Sequence, residues 1–294
     1  LLLFCNHQVF SQAFIADSLL PYLHGIKSTK PGSILFNVRG REVIIDRAKG
    51  DFSKPYVRTL FPGFDLHEVD KVYPDNIPVL GLQVLRIDKQ KDSDSLYGYA
   101  RYYFFMDGKE SIRGIQISSM VPKEDRFDQA IIELILKNKI PDSLISKLFP
   151  PELQFVGKRT TVDSRCRWMG SNVMQCVGFG EMNWSMHPTI QEAKLLSDYQ
   201  FRLIASKKGV SIGTEELVPV IFEGVPVTAR RYNYVFDGVK GFLLKHREGS
   251  KTLIVYFVVS EVRGRFVSCV MSYWTSDYLE NGLPPLLHQV MSLK

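Results

Sequence analysis

The sequence has no apolar run long enough to cross a bilayer as a helix. A span needs roughly 20 mostly apolar residues, and the best runs here, such as Leu253–Val259, have strand length. The common catalytic signatures are also missing. There is no G-x-S-x-G nucleophile elbow, and no phosphate-binding loop, EF-hand loop or zinc-protease motif. The stretch "VGFGEMN" carries Gly178 and Gly180 but lacks the third glycine and the strand-to-helix setting of a dinucleotide loop, so it reads as a strand with a bulge. None of His7, His24, His67, His187, His246 and His288 has another His or Cys at a metal-ligand spacing. No cofactor and no metal are therefore expected. Enzymatic activity is left uncertain, and a non-catalytic role is the leading expectation.

Low-complexity tracts are absent as well, which excludes a largely disordered chain. The 294 residues, 45% hydrophobic and 12% aromatic, suffice for one large domain or two ordinary ones. The net charge of +6 is unevenly spread. Lys27, Lys30, Arg39, Arg41, Arg47, Lys49, Lys54 and Arg58 crowd one segment against only Glu42, Asp46 and Asp51. Such a segment either solvates the surface or meets an acidic glycan, a lipid headgroup or an acidic partner.

Leu1–Cys5 fits the end of a signal h-region. Ser11 and Ala13 fit the small-x-small site before a cut, so residues 1–13 are expected to be a signal remnant. That places the protein in the periplasm or outside the cell, makes nucleic acid an unexpected partner, and makes disulfides permissible. Of four cysteines, Cys166 and Cys176 flank "CRWMGSNVMQC". A hairpin loop at Gly170-Ser171-Asn172, with Asn172 able to take the left-handed conformation, would set the two cysteines opposite each other. Bridged or unpaired are both open on the sequence alone. Cys269, among Val267, Val270 and Met271, reads as a buried thiol.

A long imperfect repeat organises the rest. Strands are predicted over Pro78–Ile87, Tyr97–Met106 and Ser111–Met120, with a turn at Asp107-Gly108 and a helix over Phe127–Lys139 whose apolar face is Phe127, Ile131, Leu134 and Ile135. The same order returns in Val225–Phe236, Thr252–Val262, the turn Arg263-Gly264, Arg265–Thr275 and a helix from Leu283 to the end. A capping box, Thr189 with Glu192, starts another helix running to Ser206. Early strands fall at Ile34–Phe36 and Glu42–Ile45. The helix counterpart in the first half is either Phe14–Leu23 or lacking. Pro141, Pro150 and Pro151 mark the link, which gives units 14–150 and 151–294.

Tyr97, Tyr99, Arg101 and Tyr103 alternate along one strand face. Together with Arg39, Arg41 and Arg47 they form a candidate interaction surface if that face is open. If helices cover both faces, the rings are core.

The stretches "GVPVTARRYNYV", "KTLIVYFVV", Arg263-Gly264, "FVSCVMSYW" and "LPPLLHQVMSLK" together resemble the PsbP-like, Ran-binding-Mog-type α/β/α sandwich family. The resemblance implies an α+β fold of two related units, each an antiparallel sheet covered by helices, with non-catalytic binding or assembly roles and no ligand residues to carry over. The expectation is an exported, non-catalytic binding or accessory protein of the bacterial envelope, acting at a cleft or joint between its halves on an unknown protein, glycan or lipid. The alternatives are a hydrolase whose site assembles only in the fold, and a structural component of a surface complex.

Overall fold

The computed structural model describes residues 16–30, 32–50, 57, 59–64, 66, 71–75, 84–88, 99–106, 110–121, 123–206 and 209–294. The signal-like residues 1–13, residues 78–83 of the first predicted strand, the connection 89–98 with Tyr97, and the Asp107-Gly108 turn lie outside the described residues. The chain is a mixed helix and strand protein built on two large sheets. The first contains β1 (Leu23–Lys27), β2 (Ile34–Val38), β3 (Arg41–Lys49), β4 (Lys71–Asp75), β5 (Val84–Asp88), β6 (Tyr99–Met106), β7 (Ser111–Ser119) and β8 (Ile145–Ser146), with α1 (Asp125–Leu136) between the last two. A small hairpin, β9 (Glu152–Phe155) and β10 (Lys158–Thr161), follows. The second sheet contains β11 (Cys166–Gly170), β12 (Val173–Cys176), β13 (Gly180–His187), β14 (Val210–Ile212), β15 (Glu216–Phe222), β16 (Val225–Phe236), β17 (Thr252–Val262), β18 (Arg265–Trp274) and β19 (Met291–Leu293). Its helices are α2 (Ile190–Ala205), α3 (Gly238–Glu248) and α4 (Pro285–His288).

The strand orders are β4-β5-β6-β7-β3-β2-β1-β8 and β11-β12-β13-β18-β17-β16-β15-β19, with β14 beside β16. Read from β15, the second becomes β15-β16-β17-β18-β13-β12-β11. Strands β1 to β3 and β4 to β7 of the first sheet occupy the same places as β11 to β13 and β15 to β18 of the second. Every pairing is antiparallel except that of β1 with β8. The two long hairpins therefore lie in separate sheets.

The sheets form because alternate residues bury on opposite faces. On β6, Tyr103 and Phe105 pack with Phe127, Ile131, Leu134 and Ile135 of α1. Tyr102 and Phe104 pack on the other face with Val57, Phe61 and Phe64. The α1 face predicted from 3.6-residue spacing is the one buried, and Lys137 and left-handed Asn138 end the helix. In the second sheet, Tyr232, Tyr234 and Phe257 meet Phe201 and Ile204 of α2. Trp184, Tyr256 and Met271 face Phe155 of β9 and Leu286 and Leu287 of α4.

Several expectations hold. Arg263 and Gly264, both at positive φ, turn β17 into β18 with Val262 opposite Arg265. Cys166 pairs with Cys176 across β11 and β12 at disulfide-bonding distance, with Cα atoms 4.0 Å apart. Cys269 is buried and free.

Others need correction. Asn172 is not left-handed: the register shifts between Trp168 and Gly170, and the Asn172 amide donates to Asn183 Oδ1 (2.7 Å) and Trp184 O (2.9 Å). The terminal helix is only Pro285–His288, because Val290 and Met291 bury and the chain turns to add β19 to the open edge of β15. Ala16–Tyr22 is a 3-10 helix containing Pro21, packed beside α1 in the first core. The chain order places the partner of α2 between β3 and β4 instead, where Val57, Thr59 and Leu60 are helical.

Candidate functional site

The two sheets meet along a joint made by the β2–β3 hairpin, β1, the β11–β12 turn and the end of β13. Arg39 and Gly40 both have positive φ, and Val38 pairs with Arg41, which makes a two-residue hairpin turn of the kind that matches strand twist. This turn reaches the second sheet. A Cβ at Gly40 would lie 2.6 Å from Leu196 of α2 and 3.1 Å from the His187 ring.

Beside the turn lies a cleft of about 310 Å³. Its walls are Arg39 and Arg41, Val121, Lys123 and Glu124 leading into α1, His187 at the end of β13, and Glu192 and Leu195 of α2. The first turns of two helices thus border it, and helix N-termini carry partial positive charge. Arg39 grips Glu192 at two points, Nε to Oε2 at 3.2 Å and Nη2 to Oε1 at 2.5 Å. Arg41, buried, donates to Glu124 Oε2 at 3.3 Å and lies 4.3 Å from the Phe127 ring. Three cationic side chains stand against two carboxylates.

His187 is 1% exposed. Its Nε2 is 2.8 Å from Ser185 Oγ, while Nδ1 stops 3.7 Å from Glu192 Oε2, longer than a hydrogen bond. Burial pushes the imidazole below its ordinary range, against the pull of Glu192. Burial alone would raise the Glu192 carboxyl, but the His187 ring and the Arg39 guanidinium more than reverse this and hold it at about 2. His187 Nδ1 and Arg41 Nε are buried without a hydrogen-bond partner. Unsatisfied buried polar groups of this kind are uncommon and costly, and both belong to residues that line the cleft.

A second set of contacts closes the joint. His24 of β1 stacks against Trp168 at 4.5 Å, and its Nδ1 donates to Ser171 O at 3.0 Å. The Ser171 hydroxyl donates in turn to Glu42 Oε2 at 3.3 Å. Burial lowers the His24 ring to about 4, against the opposing effect of the Ser171 carbonyl. An unfolded His titrates near 6.5, so the folded state binds the proton less readily. This contribution is complete above about pH 6.5, falls as the pH drops toward about 4, and is then constant, on the order of 3 kcal/mol in all. Urea unfolding at a series of pH values is expected to show that slope, and His24→Gln is expected to flatten it. A slope unchanged in the variant would assign the loss to other groups.

The residues singled out from sequence separate. Arg39 and Arg41 line the cleft. Arg47 is exposed farther along β3, outside it. Arg101 and Tyr103 are not a surface: they are 3% and 2% exposed beneath α1, where Arg101 Nη1 donates to Asp128 Oδ2 at 2.9 Å and Tyr103 Oη donates to it at 2.7 Å. The covered-face reading therefore holds for them, and Tyr99 beside them is half-buried. Sequence reasoning missed His187, Lys123 and Glu192 as joint residues. Glu192 was legible only as a cap. Thr189 does cap α2, accepting from the Glu192 N–H at 3.2 Å, but the Glu192 carboxylate turns away to Arg39 and His187.

No protein-family model, curated protein or solved structure matches this chain. Among the described residues no helix is long and apolar enough to cross a membrane, and no group of three or more His, Cys, Asp or Glu could hold a metal ion.

Proposed function

We propose that the chain is an exported, non-catalytic binding protein that takes a small anion, a carboxylate or a phosphate, in the cleft between its two sheets. The observation that carries this reading is the pair of buried groups that make no hydrogen bond, Arg41 Nε–H and His187 Nδ1, the latter 3.7 Å from Glu192, in a cleft that also holds Arg39 and Lys123. With Ser185 donating to Nε2, the Nδ1 of His187 carries the proton and becomes a second donor. A cleft of this volume suits a small molecule. The shared strand order supports two copies of one α/β/α unit, of the PsbP-like, Mog-type kind, divided near Pro151 and joined around the site. The Cys166–Cys176 pair supports an oxidising compartment and hence the periplasm or the cell exterior.

A hydrolase is favoured by one observation, the alignment of Ser185, His187 and Glu192 in the order of a catalytic triad. Ser185, however, does not line the cleft, whereas His187 does. A ligand there would meet the imidazole and not the hydroxyl.

Thermal unfolding in the presence of inorganic phosphate and of small mono- and dicarboxylates tests the binding reading. At least one anion is expected to stabilise the protein, by about 2.7 kcal/mol at a hundredfold excess over Kd. The exposed-site variant Lys123→Gln should bind it about tenfold more weakly or worse. A serine-directed fluorophosphonate should leave the mass of the protein unchanged. Labelling at Ser185 would instead support the hydrolase.

A further inference from the structure

The segment between β16 and β17 is α3. Three of its four large apolar side chains face outward: Val239 is 78% exposed, Phe242 72% and Leu243 59%. The face turned to the protein carries Gly241, the only buried residue of the helix, with half-buried Leu244 and Glu248. Gly241 has no room for a side chain, since a Cβ there would lie 2.0 Å from the Phe236 carbonyl oxygen. The helix is therefore laid flat against the end of β16 with its apolar side away from the core.

At about 100° per residue, Val239, Phe242, Leu243 and His246 fall within one arc of about 100°. Lys240 and Arg247 flank that arc on one side and Lys245 on the other. From Asp237 to Lys251 there are four cations (Lys240, Lys245, Arg247, Lys251) against two carboxylates (Asp237, Glu248). Both carboxylates are engaged, Asp237 with Ser211 Oγ at 2.6 Å and Glu248 with the neighbouring Arg247.

The surface continues beyond the helix. Strands β16, β17, β18 and β13 reach the same end of the sheet, as Val235 opposite Thr252, Leu253 opposite Trp274 and Glu181 opposite Ser272 show. Ser276 Oγ donates to Glu248 O, and Tyr278 N–H donates to Gly178 O at 3.1 Å. Tyr278 is 60% exposed, Leu279 42% and Val177 57%.

We infer that this end of the second sheet, led by α3, docks on an anionic lipid bilayer. An exposed apolar arc with cations on both flanks is the arrangement of a helix lying in the interface plane, its apolar side among acyl chains and its cations at phosphate level. Acidic headgroups complement the net positive charge of Asp237–Lys251, whereas Asp277 and Glu280 beside Tyr278 and Leu279 are carboxylates, so α3 and not the Tyr278 end supplies the attraction.

The test is co-sedimentation of the full chain with vesicles of phosphatidylcholine alone or mixed with phosphatidylglycerol. Binding to the mixed vesicles is expected to be at least about tenfold tighter and to weaken with added salt. Phe242→Ser combined with Leu243→Ser should lower it by a further factor of about ten or more. Both side chains are exposed, so thermal unfolding should be unchanged and folding is not at issue. In Phe242→Trp, tryptophan emission should shift to the blue on mixed vesicles. Failure to bind mixed vesicles, equal binding to both compositions, or binding indifferent to the double variant would each overturn the inference. So would self-association that the double variant abolishes while vesicles remain unbound, since α3 would then serve a second copy of the chain.

Discussion

Arg101→Met is expected to destabilise the protein by about 3–5 kcal/mol, the range for stripping one partner from a buried ion pair. Arg101 and Asp128 are both buried, and Tyr103 shares the same carboxylate oxygen. Burial pushes the Asp128 carboxyl upward, against the hydrogen bonds from Tyr103 and Arg101, while the guanidinium itself is held well above its ordinary range. Met fills similar space but leaves Asp128 hydrogen-bonded to Tyr103 alone and frees the exposed Asp125 carboxylate to solvent. The Asp128 carboxyl must then stay charged with only the more distant Arg41 opposing it, or take up a proton. Adding Asp128→Leu to Arg101→Met removes the stranded group, and most of the loss should return, since apolar replacement of a whole buried pair is often neutral or better. Urea midpoints of the three variants decide this. A single substitution costing under about 1 kcal/mol would mean that the pair is solvated like a surface salt bridge.

Gly40→Val should cost about 2–5 kcal/mol and abolish anion binding together. Part is strain, since positive φ costs a branched residue about 1–2 kcal/mol. The rest is overpacking against Leu196 and His187, typically about 1–3 kcal/mol. Gly264→Val supplies the control. Gly264 occupies the same kind of turn at φ 73°, yet nothing lies within 4 Å of its Cβ direction. It should show the strain alone and keep the anion response. Equal losses in the two variants would mean that the turn matters only as a turn and that the joint does not depend on its seating.

These two sites show what could be read ahead of the structure. Period-2 alternation on β6 and 3.6-residue spacing on α1 are local patterns, and both were legible. The alternation of Tyr99, Arg101 and Tyr103 gave the shared face but not its cover, because Asp128, which claims Arg101 and Tyr103, lies 25 and more residues away in α1. The cleft was less legible still. Arg39 and Arg41 stood out as charge, but their partners Glu192 and Glu124 are 153 and 83 residues distant. His187 has no local signal beyond the Pro188 that follows it, yet it closes a strand whose end is buried by the other sheet. The helix α3 could have been found from Val239, Phe242, Leu243 and His246 at helical spacing. Its apolar side faces out, so its stripe is not the core-facing kind that marks most helices. The terminal segment misled in the opposite way: its apolar residues suit a helix, and a free sheet edge took part of them as β19.

In the proposed function the cleft between the sheets binds a small anion through Arg41 and His187. Ring-labelled histidine NMR tests it most directly, because His187 lines the cleft while His246 and His288 are exposed elsewhere. On titration with the most stabilising anion at fixed pH, the His187 ring signals should move saturably, and those of His246 and His288 should stay in place. Signals from all three moving together, or His187 unmoved while the anion still stabilises the protein, would contradict it.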